Sequence, residues 1–241
     1  MSSTSDDPRF HALMPCAGTG SRAGTPVPKQ YQLVAGQPMV MHTLHALALL
    51  PQLTSGWVIL SPGDGFEWPE VAWPAHFRRV ACGGSTRAES VFNGLCAMLQ
   101  SGVSAQDWVL VHDAARCLIT PDAVTALIEA CQDDLVGGLL ALPLSDTLKS
   151  QTLDDRIARV ASTVTREDKW LAQTPQMFRV GALHAALADA AATGFAGITD
   201  ESSAMERLGL SPRLVPGSVQ NMKVTYPADF AFAEVVLKGR T

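Results

Sequence analysis

Residues 16–30, CAGTGSRAGTPVPKQ, bring three glycines and two cations together with no acid. Gly18, Gly20 and Gly24 let the backbone wrap closely round a ligand with its N–H groups turned inward. Arg22 and Lys29 add positive charge to the same loop, and no Asp or Glu occurs from residue 8 to residue 63. Many donors, two cations and no nearby carboxylate suit a polyphosphate. Gly83 and Gly84, in CGGSTRAES at 82–90, offer a second close backbone approach to a flat base or a phosphate, or else a tight turn. Asp113 follows an apolar run and stands at a strand tip. A single carboxylate there, together with phosphate oxygens, is a usual way to hold Mg²⁺; capping a helix or pairing with Arg116 are the other uses open to it. His112 suits packing or capping better than base catalysis. Lys223, between Asn221 and Thr225, is by itself an ordinary solvated lysine, as are Lys149 and Arg166.

Of two familiar phosphate motifs, one is demoted and the other is absent. GTGSRA at 18–23 fits the dinucleotide fingerprint G-x-G-x-x-G/A, but Pro26 and Pro28 cut short the helix that the motif needs. The acid expected about 20 positions further on is also missing. No G-x-x-x-x-G-K-[ST] pattern occurs.

Short strands and helices alternate around these residues. Strands are expected at 10–15, 57–60, 77–81, 108–111 and 138–143. Helices are expected at 39–50, after 90 (with Val91, Leu95, Met98 and Leu99 on one face), from Thr120-Pro121, at 180–193, from Thr199 or Asp200, and at 227–238. A short extended piece is expected at 31–34, another at 214–215, and a compact turn at 221–225. This alternation predicts an α/β fold with a mostly parallel sheet covered on both faces. Ligands then gather at the carboxyl ends of the strands, where 16–30, 83–90 and 112–116 all fall. The alternation breaks between 145 and 176, where three short extended pieces (147–149, 157–162, 171–173) are too weakly apolar for a core of their own. An arm packed on a second subunit explains them, so a homodimer is expected.

The 241 residues suit a single domain over 10–241 behind a loose tail, 1–9. A net charge of −5 argues against a nucleic-acid surface. No apolar run is long enough to span a membrane, and the polar, acidic start is unlike a signal peptide. Five cysteines without a C-x-x-C pair read as reduced thiols in a cytoplasmic protein.

Taken in order, 16–29, HDAAR at 112–116, DTLK at 146–149, TPQ at 174–176, TDE at 199–201 and NMKVT at 221–225 resemble the 2-C-methyl-D-erythritol 4-phosphate cytidylyltransferases over nearly the whole chain. Each segment is weakly specific; the ordered set is strongly so. The resemblance implies a Rossmann-like nucleotidyltransferase fold, a β-arm that interlocks two subunits, and Mg²⁺-dependent transfer from CTP to a polyol phosphate. It implies that Ala17, Gly18 and Gly20 wrap the triphosphate, with Arg22 and Lys29 on its phosphates. Gly83 and Ser90 would recognise the cytosine and its surroundings, and Ala114 would lie beside the nucleotide. Asp113 would hold Mg²⁺, and Lys223 would act at the α-phosphate. Thr147 and Arg166 would reach the acceptor of the neighbouring subunit, with Arg116, Thr174 and Thr199 nearby. Cys16, Ala23, Ser85 and Cys117 depart from the family pattern; Ser85 stands where an aspartate is frequent, and Cys117 where a proline is usual. Ribitol 5-phosphate cytidylyltransferases look similar along most of the chain, but HDAAR is closer to the methylerythritol enzymes. A UTP- or GTP-dependent sugar-phosphate enzyme and a non-catalytic nucleotide-binding regulator are the remaining alternatives. From the length, no fused downstream domain is expected.

Overall fold

The computed structural model describes residues 8–18, 28–68, 73–154 and 156–240. Strand β1, Phe10–Pro15, lies near the centre of a sheet that has seven strands among the described residues. On one side it pairs in parallel with β4, Leu53–Ile59, which pairs with β5, Phe77–Val80. On the other side it pairs in parallel with β6, Trp108–Val111. In the sheet order β11 (Arg213–Pro216), β7 (Gly137–Pro143), β10 (Trp170–Arg179), β6, β1, β4, β5, the order of strand addition therefore reverses at β1. The carboxyl ends of β1 and β6 flank that switch point, where α/β sheets leave a crevice.

Alternate side chains of the central strands enter two cores. Ala12, Met14, Val58 and Leu110 face one, with Val40, Leu44 and Leu47 of α1, Met39–Ala48, and Val124, Leu127 and Ile128 of α3, Pro121–Cys131. Leu13, Trp57, Ile59, Val109 and Val111 face the other. There they meet Val91, Leu95 and Met98 of α2, Arg87–Gln100, together with α4, Val180–Ala191, and α5, Glu201–Arg207. Strands buried on both faces are mostly apolar, so these read as near-continuous apolar runs rather than alternating ones, with the buried His11 and Ser55 bonded to each other at 2.8 Å. A third cluster joins Val34, Met39, Leu118 and Val224 to Ala233 of α6, Pro227–Lys238, and so holds the 221–225 segment against the sheet. Val34 belongs to a small antiparallel ribbon of β2, Leu33–Val34, and β3, Gln37–Pro38.

Two expectations need correction. Helix α2 begins at Arg87, before Ser90, because the Thr86 hydroxyl accepts from Glu89 N at 3.0 Å and caps it. The T-x-x-E spacing at 86–89 is the signal for that start. The excursion is also shorter than 145–176. Strands β8, Leu148–Asp154, and β9, Ile157–Val164, form a separate antiparallel hairpin whose side chains are mostly exposed. Strand β10, Trp170–Arg179, returns to the main sheet and runs antiparallel between β6 and β7, Gly137–Pro143. Its start is exposed and its pairing shifts register between Ala172 and Gln176, so the polar, proline-containing QTPQ stretch reads as loop although it is buried. Strand β11, Arg213–Pro216, closes the sheet beside β7 in parallel. Among the described residues no helix is long and apolar enough to cross a membrane.

Candidate active site

A cavity of about 500 Å³ opens at the switch point. Residues 15–18 after β1, 84–87 and Ser90 after β5, and 113–115 after β6 form its walls, and Lys29, Gln30 and Lys223 complete it.

The first wall is fixed by its carbonyls. The Gln30 amide donates to Cys16 O at 3.1 Å and Gly18 O at 2.9 Å, and the Ser61 hydroxyl donates to Ala17 O at 2.9 Å. Gly20 and Arg22 lie outside the described residues. In the second wall Gly84 N donates to the Ser90 hydroxyl at 3.1 Å, and that hydroxyl donates to Thr86 O at 2.9 Å. Gly83 sits behind this wall and does not line the cavity. Its N–H donates to Leu60 O at 2.8 Å, and an added Cβ would fall 2.3 Å from the Cβ of Ala17. Glycine at 83 thus lets two cavity-forming segments touch. Ser85 donates from its N–H and its hydroxyl to Glu89 at 2.6 and 2.7 Å, so it closes the first turn of α2.

Lys29 and Lys223 are both held through Val224. Lys29 Nζ donates to Val224 O at 2.8 Å, while Val224 N donates to Ala115 O at 2.8 Å. Lys223 is therefore delivered to the tip of β6, where its Nζ lies 2.7 Å from Asp113 Oδ2. Asp113 Oδ1 takes Arg87 Nε at 2.8 Å, and the two outer nitrogens of Arg87 grip Glu201 at 2.7 and 3.0 Å. Among the described residues the Asp113 carboxylate caps no helix and does not pair with the Arg116 side chain; only the Arg116 backbone N–H donates to Asp113 O, at 3.0 Å. Burial alone would push its carboxyl up, but the Arg87 and Lys223 charges overcome this and hold it well below the usual carboxylate value. It is ionised at neutral pH.

His112 is enclosed and neutral, because burial lowers it to about 4. Its Nε2 faces Arg116 O at 3.3 Å and must carry the proton, so Nδ1 accepts from the Thr174 hydroxyl at 3.0 Å. That hydroxyl also accepts from Asp113 N at 3.1 Å. Thr174 thus orients the strand tip. Arg116 does not line the cavity: it donates to Asn221 O at 2.7 Å and Ala172 O at 3.2 Å, stapling the Lys223 turn to β10. Ala114 lines the cavity, and its carbonyl accepts from the Thr43 hydroxyl at 3.0 Å. Thr199 lies in a smaller neighbouring cavity of about 120 Å³ that shares Arg87 as a wall. Thr147 and Arg166 flank the hairpin, exposed and outside the cavity of their own chain.

Sequence reasoning missed Arg87 as a site residue. A cation in the first helical turn after a strand's carboxyl end was the available signal.

A cavity of about 500 Å³ at the switch point of a mostly parallel sheet, with two lysines on one side and capped backbone loops on the other, has the arrangement of a nucleotidyltransferase site. The sequence profile of the family IspD, 2-C-methyl-D-erythritol 4-phosphate cytidylyltransferase, matches residues 10–239. The cytidylyltransferase of Laribacter hongkongensis is 51% identical over 236 residues, covering 95% of this chain and 96% of that one. A bifunctional enzyme IspD/IspF of Albidiferax ferrireducens is 60% identical over 234 residues, covering 97% of this chain but 54% of that protein, so the chain spans about half its length. The crystal structure of the Francisella tularensis cytidylyltransferase superposes with a TM-score of 0.79 at 30% identity, covering 95% of this chain and 99% of that one. The chain belongs to the 2-C-methyl-D-erythritol 4-phosphate cytidylyltransferase family, and it is a cytidylyltransferase of non-mevalonate isoprenoid biosynthesis.

Proposed function

We propose that this cavity binds CTP and that the phosphate of 2-C-methyl-D-erythritol 4-phosphate attacks its α-phosphorus in line, releasing pyrophosphate and forming CDP-methylerythritol. The observation that carries this reading is the meeting of Lys29, Lys223 and Asp113 with the loops at 16–18 and 84–90 around one cavity. Ala17 and Gly18 wrap the triphosphate, with Gly20 and Arg22 completing that loop. Ser90 and Ala114 lie beside the nucleoside, and Gly83 supports them from behind. Arg22 and Lys29 neutralise the β- and γ-phosphates, and Lys223 serves the α-phosphate.

A phosphate monoester loses its second proton near pH 6, so the nucleophile is already mostly dianionic at neutral pH. No general base is required, in keeping with a His112 that is neutral, enclosed and hydrogen-bonded at both ring nitrogens. The barrier comes from bringing one anion up to another. Orientation and charge neutralisation therefore supply most of the rate.

The residues present fit Mg²⁺. Asp113 is ionised and lines the cavity, and its two oxygens keep lone pairs beyond those that meet Arg87 and Lys223. Among the described residues no group of three His, Cys, Asp or Glu could hold a metal unaided, so phosphate oxygens and water would supply the remaining ligands. Bound there, the ion offsets charge on the triphosphate and on the departing pyrophosphate.

The hairpin makes the site composite. Leu153, Ile157 and Val160 are exposed along it, and a lone two-stranded hairpin is marginal in water. We assign it to a second copy of the chain, whose site receives Thr147 and Arg166, with Arg116, Thr174 and Thr199 framing the acceptor side. Mixing Arg166→Ala and Lys223→Ala proteins tests this, at acceptor concentrations too low for the weakened Arg166→Ala site to turn over. The mixed dimer holds one intact site and regains activity that neither variant shows alone. Two inactive partners that stay inactive after proven subunit exchange would sink the shared-site reading.

A further inference from the structure

Arg87 lines the CTP cavity but is turned away from its centre. Both outer nitrogens of its guanidinium lie on the Glu201 carboxylate, at 2.7 and 3.0 Å, leaving only Nε for Asp113. The guanidinium is planar and rigid, so a forked grip on one carboxylate fixes where its remaining edge points. Glu201 is the anchored member of the pair. Its side chain is 2% exposed, and it opens α5, whose start is bolted to β10. Gln176 does the bolting: its amide donates to Asp200 at 2.9 Å, and its oxygen accepts from Ser202 N at 2.7 Å.

The charges explain why such a clamp matters. Glu201, Arg87, Asp113 and Lys223 form a row of alternating sign whose charges cancel. Without the Glu201 charge the row carries one net positive charge on the wall of a triphosphate site, and Arg87 keeps only Asp113, whose carboxylate it shares with Lys223. Its outer nitrogens are then free to turn onto phosphate oxygens. A cation that grips CTP and pyrophosphate as tightly as the transition state adds affinity without adding rate, and it slows product release. Its departure from Asp113 also leaves that carboxylate to Lys223 alone, drawing the lysine from the α-phosphate.

We propose that Glu201 is a positioning residue for cytidylyl transfer: it clamps Arg87 sideways against Asp113 and so keeps one more cation off the triphosphate. This rests on the cytidylyl-transfer reading above.

The test is Glu201→Gln, which keeps the shape and removes the charge. CTP and pyrophosphate binding are measured by titration calorimetry without acceptor, and kcat is measured separately. A new charge-assisted contact tightens both ligands about tenfold, while kcat falls by a similar factor. A general lesion to the fold would weaken binding and turnover together, so the opposite movement of the two is the signature. In Arg87→Met/Glu201→Met the pair is replaced by apolar side chains of similar size, which buried ion pairs often tolerate. CTP affinity there returns to the wild-type value. The double variant also decides the matter if Glu201→Gln does not fold. CTP binding about tenfold weaker in it would mean that Arg87 already grips the triphosphate, which overturns the proposal. Unchanged or weaker binding in Glu201→Gln, or tightening that persists in the double variant, overturns it as well. The wild-type titration separates the two readings: a wild-type chain that binds CTP keeps the functional reading whatever the variants do, and one that binds none overturns both.

Discussion

Lys223→Ala removes a single positive charge from the place where the account puts bond-making. Lys223 Nζ lies 2.7 Å from Asp113 Oδ2, with the lysine side chain 35% exposed and the aspartate 9%. Loss of one charge aimed at a transition state costs on the order of 3 kcal/mol, so kcat should fall about a hundredfold or more. The effect on stability is smaller. Asp113 keeps Arg87 at 2.8 Å and the Thr174 hydroxyl on its backbone N–H. The lost contact is partly open to water and contributes about 1–2 kcal/mol, against a total of roughly 5–15 kcal/mol for a domain of this kind. The variant should therefore be folded and nearly inactive. Steady-state pyrophosphate release at saturating CTP and methylerythritol phosphate gives kcat, and urea denaturation gives stability. A folded variant whose kcat is within about threefold of wild type would refute the assignment of Lys223. A raised KM for CTP with kcat intact would show that Lys223 only holds the ground state.

Arg166→Ala should raise KM for methylerythritol phosphate and leave the CTP constant alone; a change confined to CTP would place Arg166 elsewhere. Gln176→Leu strands Ser202 N–H and loosens Asp200 at the start of α5, which should cost about 2–4 kcal/mol in urea denaturation. Stability unchanged by that substitution would mean that α5 is held by its other contacts. Burial lowers His11, His42 and His112 from the ordinary value of 6.5, His112 to about 4, so His112 is neutral in the folded protein at pH 5 and takes up a proton on unfolding. Stability should accordingly fall as pH drops from 6.5 towards 4, by up to about 1.4 kcal/mol per pH unit for His112, with His11 and His42 acting in the same direction. The Asp113 contribution is lost only further down, below its unfolded value of 3.8. Equal urea midpoints at pH 7 and pH 5 would contradict this.

Local signals foretold most of what positions the site. β6 is an unbroken apolar run that ends in His112 and Asp113, and β1 is apolar but for His11 and leads into the glycine-rich loop, so the tips carrying Cys16 and Asp113 were visible without a structure. The Thr120-Pro121 start of α3 is written in cap chemistry, and the Thr120 hydroxyl does accept from Ala123 N. What stayed hidden depends on distant pairing. Arg87 meets a glutamate 114 positions later, and nothing local marks either residue as the other's partner. Strand β10 begins exposed and reaches the core through glutamines, threonine and proline, so its pattern suggests a loop. Arg116 and Thr174 were expected near the acceptor. Their hydrogen bonds also fix the Lys223 turn and the Asp113 strand tip, a role that only side-chain geometry reveals.

The most direct measurement is pyrophosphate release by the purified protein with CTP and Mg²⁺, offering methylerythritol 4-phosphate and ribitol 5-phosphate in separate reactions. The account predicts release with methylerythritol 4-phosphate and none with ribitol 5-phosphate. Release with ribitol 5-phosphate alone, or with neither acceptor despite bound CTP, would contradict it.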